Sequence, residues 1–124
     1  MNTGTSTGGI DLWRFPLDGR PKAVKAALAV LCRDERAHLR KFANARLAAA
    51  FAIRRAARRI ILASYLGIEP AQVATRNTPY GKPELFGGSP DLYFNASHSK
   101  ECGILAVTHR FPLGADVEHF RPID

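Results

Sequence analysis

Five side chains in the last third of the sequence are of types that handle phosphate and metal: Lys82 in "YGKP", Ser97 and His98 in "FNASHS", and Asp116 and Glu118 in "GADVE". Ammonium, hydroxyl and imidazole groups all donate to phosphate oxygens, and the end of a strand is a place where they stand exposed. Asp116 and Glu118 are two apart, so on a strand both carboxylates project from one face while Ala115 and Val117 face the other. Two adjacent oxygen ligands suit Mg²⁺, which binds through one or two carboxylates, water and substrate phosphates. The same spacing also describes a solvent-facing pair of acids on an amphipathic strand, so the pair gains meaning only beside a phosphate binder. A hydrolase built on Ser97 and His98 is disfavoured. Neighbours on an extended chain point apart, and no G-x-S-x-G elbow is present.

The 124 residues, 46% of them hydrophobic, suffice for one domain with an ordinary core. Charge is unevenly placed. Residues 1–66 hold 13 Lys and Arg against 4 Asp and Glu, a balance of +9, whereas residues 67–124 come to −2. A basic half calls for an anionic partner: nucleic acid, an acidic protein surface or a phosphorylated small molecule, with a solvated helix face as the plainer reading. Cys32 and Cys102 lie far apart and read as reduced, structural thiols. The four histidines, His38, His98, His109 and His119, lack zinc-site spacing.

The longest apolar run, "LAAAFAI" at 47–53, is stopped by Arg54 and Arg55, far short of the ~20 residues a bilayer span requires. The first residues, "MNTGTSTGG", have neither a basic nor an apolar signal-peptide region, so 1–9 reads as a flexible polar tail and 10–124 as the domain. No membrane partner is expected, and the cytoplasm is the expected compartment.

The elements that must position these residues follow from pattern. "IDLWRFPLD" (10–18) alternates as a first strand and "GRP" (19–21) breaks it. Residues 33–43 read as a short helix with Asp34 as its N-cap, and residues 45–66 as the longest helix, closed by Gly67 and Pro70. "PYGKPEL" (79–85) is a turn; 92–97, 103–109 and 113–120 are strands, paired antiparallel by their short connections. From Arg36 to Ile68 there are eight Lys and Arg and no acid. Arg54 and Arg58 share a helix face, as do Arg55 and Arg59. Projected around the helix, Arg54 and Arg58 fall on the arc of Leu47, Phe51, Leu62 and Tyr65, the side that should be buried. Their heads either snorkel to solvent or meet an anion in a groove.

Taken in order, the basic helix, "YGKP", "FNASHS" and "GADVE" closely resemble the N-terminal half of the Sfp-type 4′-phosphopantetheinyl transferases, whose signatures are a G-K-P turn, a [F/W]-N-x-S-H-S strand end and a G-x-D-x-E strand. The likeness runs from about Asp11 to Asp124. It implies an α+β fold, a small antiparallel sheet packed against one long helix and a shorter one, forming one half of a two-fold-repeated architecture. It implies Mg²⁺-dependent transfer of the phosphopantetheine arm of coenzyme A to a serine of an apo carrier protein, with release of 3′,5′-ADP. By the same resemblance Gly81, Lys82 and Pro83 form the phosphate-holding turn, Ser97 and His98 hold phosphates of coenzyme A, and Asp116 and Glu118 bind the metal.

Two departures accompany it. The family position whose arginine contacts the 3′-phosphate falls within "LAAA" (47–50) and is alanine here, which leaves Arg54, Arg55 and Arg58 as candidates for coenzyme A. The family's W-x-x-K-E-x-x-x-K signature, which belongs to its second half, does not occur in these residues. The expectation is therefore an N-terminal half that works with a separate second half or as a homo-oligomer, and an exposed apolar surface where that partner docks. The alternative is a non-catalytic module that binds coenzyme A or a carrier protein. Nucleic acid is the less favoured partner, because few aromatics accompany the arginines.

Overall fold

In a computed structural model of the protein, which describes residues 3–7, 9–86 and 91–109, the chain forms an antiparallel sheet packed against one long helix. The strands are β1 (Thr3–Thr7), β2 (Ile10–Pro16), β3 (Thr75–Asn77), β4 (Pro83–Leu85), β5 (Tyr93–His98) and β6 (Cys102–Thr108); the helices are α1 (Pro21–Val30), α2 (Arg33–His38) and α3 (Ala45–Leu66). The main sheet runs β1-β2-β6-β5, and β3 and β4 pair separately as a hairpin. The expected α+β class is what the structure has.

The helix α3 is placed by its caps. Asn44 accepts the Leu47 amide at 2.9 Å, and Gly67, at φ 68°, takes the left-handed conformation that stops the helix and lets its amide bond Ala63 O. Its buried stripe, Ala57, Ile61 and Leu62, meets Phe15 of β2, Phe94 of β5 and Leu105 and Val107 of β6. Alternation puts these strand residues on one face: Phe94 is opposite Val107, Trp13 opposite Leu105, and Phe15 opposite Gly103. A second cluster of Ala27, Leu31, Ala52 and Ala56 glues α1 to α3.

Gly103 lets the Phe15 ring lie against the sheet. A Cβ there would meet that ring at 2.2 and 2.5 Å. Gly103→Ala is therefore expected to cost about 1–3 kcal/mol, the usual range for overpacking a filled core. Chemical denaturation checks this; an unchanged midpoint would mean the ring moves aside freely.

Three elements differ from the sequence reading. The "GRP" at 19–21 marks a break, yet Pro21 opens α1, since proline at the first helical position has no amide to leave unpaired. Asp34 is not the N-cap of α2; that position is Cys32, whose amide donates to Glu35 Oε1 at 3.0 Å in a reciprocal box. The 1–9 segment, read as a tail, contributes β1 along the edge of β2, with Thr3 opposite Arg14. The expected strand at 113–120 lies outside the described residues, as do Asp116 and Glu118.

Candidate functional site

The strand β5 and helix α3 run side by side in opposite directions, which sets the arginines of the helix against the end of the strand. Arg58 lies over the Phe94 ring at 5.7 Å, and one turn earlier Arg54 lies close enough to His98 to depress its basicity. Beyond His98, the tight β5–β6 turn is closed by the Ser99 amide bonding Cys102 O at 2.9 Å. A cleft of about 470 Å³ opens at this junction, lined by Leu17, Asn44, Arg46, Leu47, Ala50, Arg54, His98, Ser99 and Lys100.

Three permanent cations and an imidazole line this cleft, and among the described residues no carboxylate does. It shares Leu17, Arg46 and Lys100 with a wider cleft of about 960 Å³ between α1 and α3, where Lys25 stands with Asp18, Glu101, Val24 and Leu28. Burial, then the nearby Arg54, pulls the His98 pKa below 6.5. Burial, then Arg55, pulls Arg54 down as well. Both shifts come first from burial and second from a neighbouring arginine.

The predicted residues separate into groups. His98 and Arg54 share the cleft, joined by Arg46, Lys100 and Ser99, which the sequence reading did not assign. Their signal was present in the basic stretch and in the "SHSK" run, but only the antiparallel course of α3 along β5 shows that they converge. Ser97 sits opposite Ile104 on β5, and alternation turns it to the face away from His98.

Gly81, Lys82 and Pro83 form the end of the β3–β4 hairpin. Thr78 N bonds Lys82 O at 2.7 Å, the Lys82 amide bonds Thr78 Oγ1 at 3.2 Å, and Gly81 takes φ 80°. These three residues do not line the cleft.

Arg58 is 8% exposed and donates to Thr75 Oγ1 at 3.3 Å. Burial, then Arg55, brings its pKa down to about 10. Arg55 pairs with Glu35 at 3.3 Å, and Arg59 with the same carboxylate at 2.7 Å. Leu47, placed by the helix projection on the buried arc, is 50% exposed at the rim of the cleft. Among the described residues no three His, Cys, Asp or Glu side chains gather to hold a metal. No helix among them is long and apolar enough to cross a membrane.

Fold and cleft together define an α+β domain with a basic cleft whose described lining holds no carboxylate. No family model matches the chain. Its sequence is 37% identical over 116 residues to the 4′-phosphopantetheinyl transferase HetI of Nostoc sp., covering 91% of this chain and 48% of that protein. It is 36% identical over 64 residues to a 4′-phosphopantetheinyl transferase of Bacillus subtilis, 52% of this chain and 28% of that one. A third match, in Synechocystis sp., is 31% identical over 114 residues, 90% of this chain and 45% of its relative. The chain is thus similar in sequence to 4′-phosphopantetheinyl transferases, and it spans about half the length of the relatives it matches over most of its own.

Proposed function

We propose that the chain is the N-terminal half of a 4′-phosphopantetheinyl transferase, holding coenzyme A while its phosphopantetheine arm is passed to a serine of an apo carrier protein. The observation that carries this reading is the convergence of His98, Arg54, Arg46 and Lys100 on one cleft with no carboxylate among its described residues. Coenzyme A carries a pyrophosphate and a 3′-phosphate, and cationic side chains in a partly desolvated cleft are what such a polyanion needs.

In the reaction the serine oxygen forms a bond to the pantetheine-bearing phosphorus and the bond from that phosphorus to the bridging oxygen breaks. The electron pair leaves with 3′,5′-ADP and the serine proton goes to a base. Phosphoryl transfer of this kind is catalysed by positioning and by neutralising charge. His98 is assigned to the phosphates of coenzyme A in the cleft; Lys82, on the turn shaped by Gly81 and Pro83, and Ser97 carry the same assignment from the resemblance alone, since both stand outside that cleft. Asp116 and Glu118 are assigned to Mg²⁺ on the resemblance of "GADVE" to the family's G-x-D-x-E strand; when bound, the ion would neutralise phosphate charge.

The resemblance places this chain beside a second half of that architecture, and the proposed reaction requires both. A second reading is a module that binds coenzyme A or a carrier protein without catalysing transfer; the basic cleft suits it equally. Intact-protein mass spectrometry of an apo carrier protein, incubated with this chain, coenzyme A and Mg²⁺, separates the two. A gain of one phosphopantetheine arm is the expected result. No gain from folded protein, beside an active transferase as control, would leave the binding module.

A further inference from the structure

The helices α1 and α3 close on each other at one end only. Ala27 and Leu31 of α1 form a buried cluster with Ala52 and Ala56 of α3. Toward their first turns the two helices leave an open groove of about 960 Å³, a volume typical of small-molecule sites. Its walls are Val24 and Leu28 on α1 and Ala45 and Ala49 on α3, each pair one turn apart, and buried Leu17 lines it as well. Alanine at 45 and 49 leaves the space unfilled.

The rim of this apolar groove is cationic. The Leu17 amide bonds Glu101 O at 2.9 Å, which draws the β5–β6 turn against the chain entering α1 and brings Lys100 to the rim that also holds Lys25 and Arg46. Of the two acids there, Asp18 is held by Arg20 at 2.9 Å. Glu101 is left beside three cations that have no ion pair among the described residues. Neither helix has an acid in its first turn and α1 has no side-chain cap, so the positive ends of two helix dipoles add charge of the same sign.

We infer that this groove binds a free medium-chain fatty acid anion, its carboxylate at Arg46 and Lys100 and its tail between Val24, Leu28, Ala45 and Ala49. The cations suit an anionic tip and the walls suit a hydrocarbon. A neutral ligand would leave the cations unmatched, and a nucleotide would leave the apolar walls in water. Arg46 and Lys100 also line the smaller basic cleft, so the bound acid occupies two cations that this cleft offers coenzyme A. Antagonism toward coenzyme A rests on the proposed function; binding of the acid does not.

The test is calorimetric titration of the whole chain with hexanoate, octanoate and decanoate, and with decyltrimethylammonium, a cation of the same tail length as decanoate. Each added methylene is expected to tighten carboxylate binding about twofold to fourfold, from the transfer free energy of a buried methylene. The ammonium should bind at least about tenfold more weakly than decanoate, because it meets like charges. Lys100→Glu should weaken decanoate about tenfold. Lys41→Glu, the same charge change at an exposed position outside the groove, should stay within about twofold of the wild type, being screened by salt. Ala49→Phe fills the slot and should abolish the dependence on chain length in protein shown by circular dichroism to be folded; should it fail to fold, the wild-type series and the ammonium decide.

Affinity independent of chain length, equal binding of decanoate and decyltrimethylammonium, or equal losses in Lys100→Glu and Lys41→Glu would overturn the inference. Decanoate should also raise the apparent dissociation constant of coenzyme A. A chain that binds decanoate but not coenzyme A would sink the coenzyme A reading and leave this site standing, whereas one that binds coenzyme A and none of the acids would sink this site alone.

Discussion

Replacing Glu35 with alanine is expected to lower the stability of the domain by about 3–5 kcal/mol, the usual cost of removing one partner from a buried ion pair. Glu35 is 7% exposed and Arg59 8%. The carboxylate takes Arg59 Nε at 2.7 Å on one oxygen and Arg55 Nη1 at 3.3 Å on the other, while also capping α2 through the Cys32 amide. Without it, two guanidinium groups face each other across one turn with no anion between them, and α2 loses its cap. Arg59 would keep its three carbonyl acceptors, so its donors stay satisfied while its charge does not.

Urea denaturation of Glu35→Ala against the wild type measures this, and a loss under about 1 kcal/mol, the value of an exposed pair, would refute it. The sign of the pH dependence follows from the same contacts. Burial pushes the Glu35 pKa up, but the Cys32 amide and Arg59 outweigh it, and the pKa ends below the usual 4.5. A depressed carboxylate contributes stability that is present above its unfolded pKa and lost as pH falls through its folded one. Glu35→Gln should therefore be less stable at neutral pH and lose less stability than the wild type on acidification below pH 4.5.

This ion triad shows what sequence could and could not reveal. The helix 45–66 was legible because its end signals are local: Gly67 has the conformational freedom to close it, and Pro70 forbids its continuation. The burial of Arg58 followed from the 3.6-residue period, which places it on the apolar arc with Phe51 and Leu62. The fates of the four arginines were not legible. They depend on Glu35, which lies 20 and 24 residues away from Arg55 and Arg59 on another helix, and on carbonyls of the segment after α3.

Local signals also misled. Proline at position 21 breaks a strand and starts a helix with equal ease, and the surrounding "GRPK" reads as the former while the α1 packing on Ala52 and Ala56 decides for the latter. In the site, the motif residues mark the strand end and the hairpin but say nothing of which helix turn faces them. That is why His98 was legible from "SHS", whereas Arg46 and Lys100, which share its cleft, were not.

His98 should make coenzyme A binding depend on pH, with a sense set by its neighbours. Arg54 and Arg46 face the cleft from α3 and Lys100 from the β5–β6 turn, so the charged side chains that share the cleft with the imidazole are, among the described residues, all cations, with Asp18 and Glu101 in the adjoining cleft. Burial and Arg54 hold its pKa below 6.5, and near neutral pH the free chain carries it uncharged. A phosphate bound beside it favours the imidazolium, so binding takes up a proton. The contribution of His98 is then complete below its free pKa and fades as pH rises through its higher, ligand-bound value.

His98→Gln, which keeps a donor without the charge, is expected to bind coenzyme A about a hundredfold more weakly at pH 6, the upper part of the range for a hydrogen bond to a charged group. The deficit should shrink severalfold by pH 8. The monoester of coenzyme A titrates near pH 6 itself, so the readout is the ratio of the two proteins' dissociation constants at each pH, from which the ligand's own titration cancels. Calorimetry in buffers of differing ionisation enthalpy supplies an independent count: the wild type should take up a fraction of a proton that His98→Gln does not. A ratio constant from pH 6 to pH 8, or equal proton uptake by both proteins, would place His98 outside the phosphate site and leave the arginines and lysines to hold the anion alone.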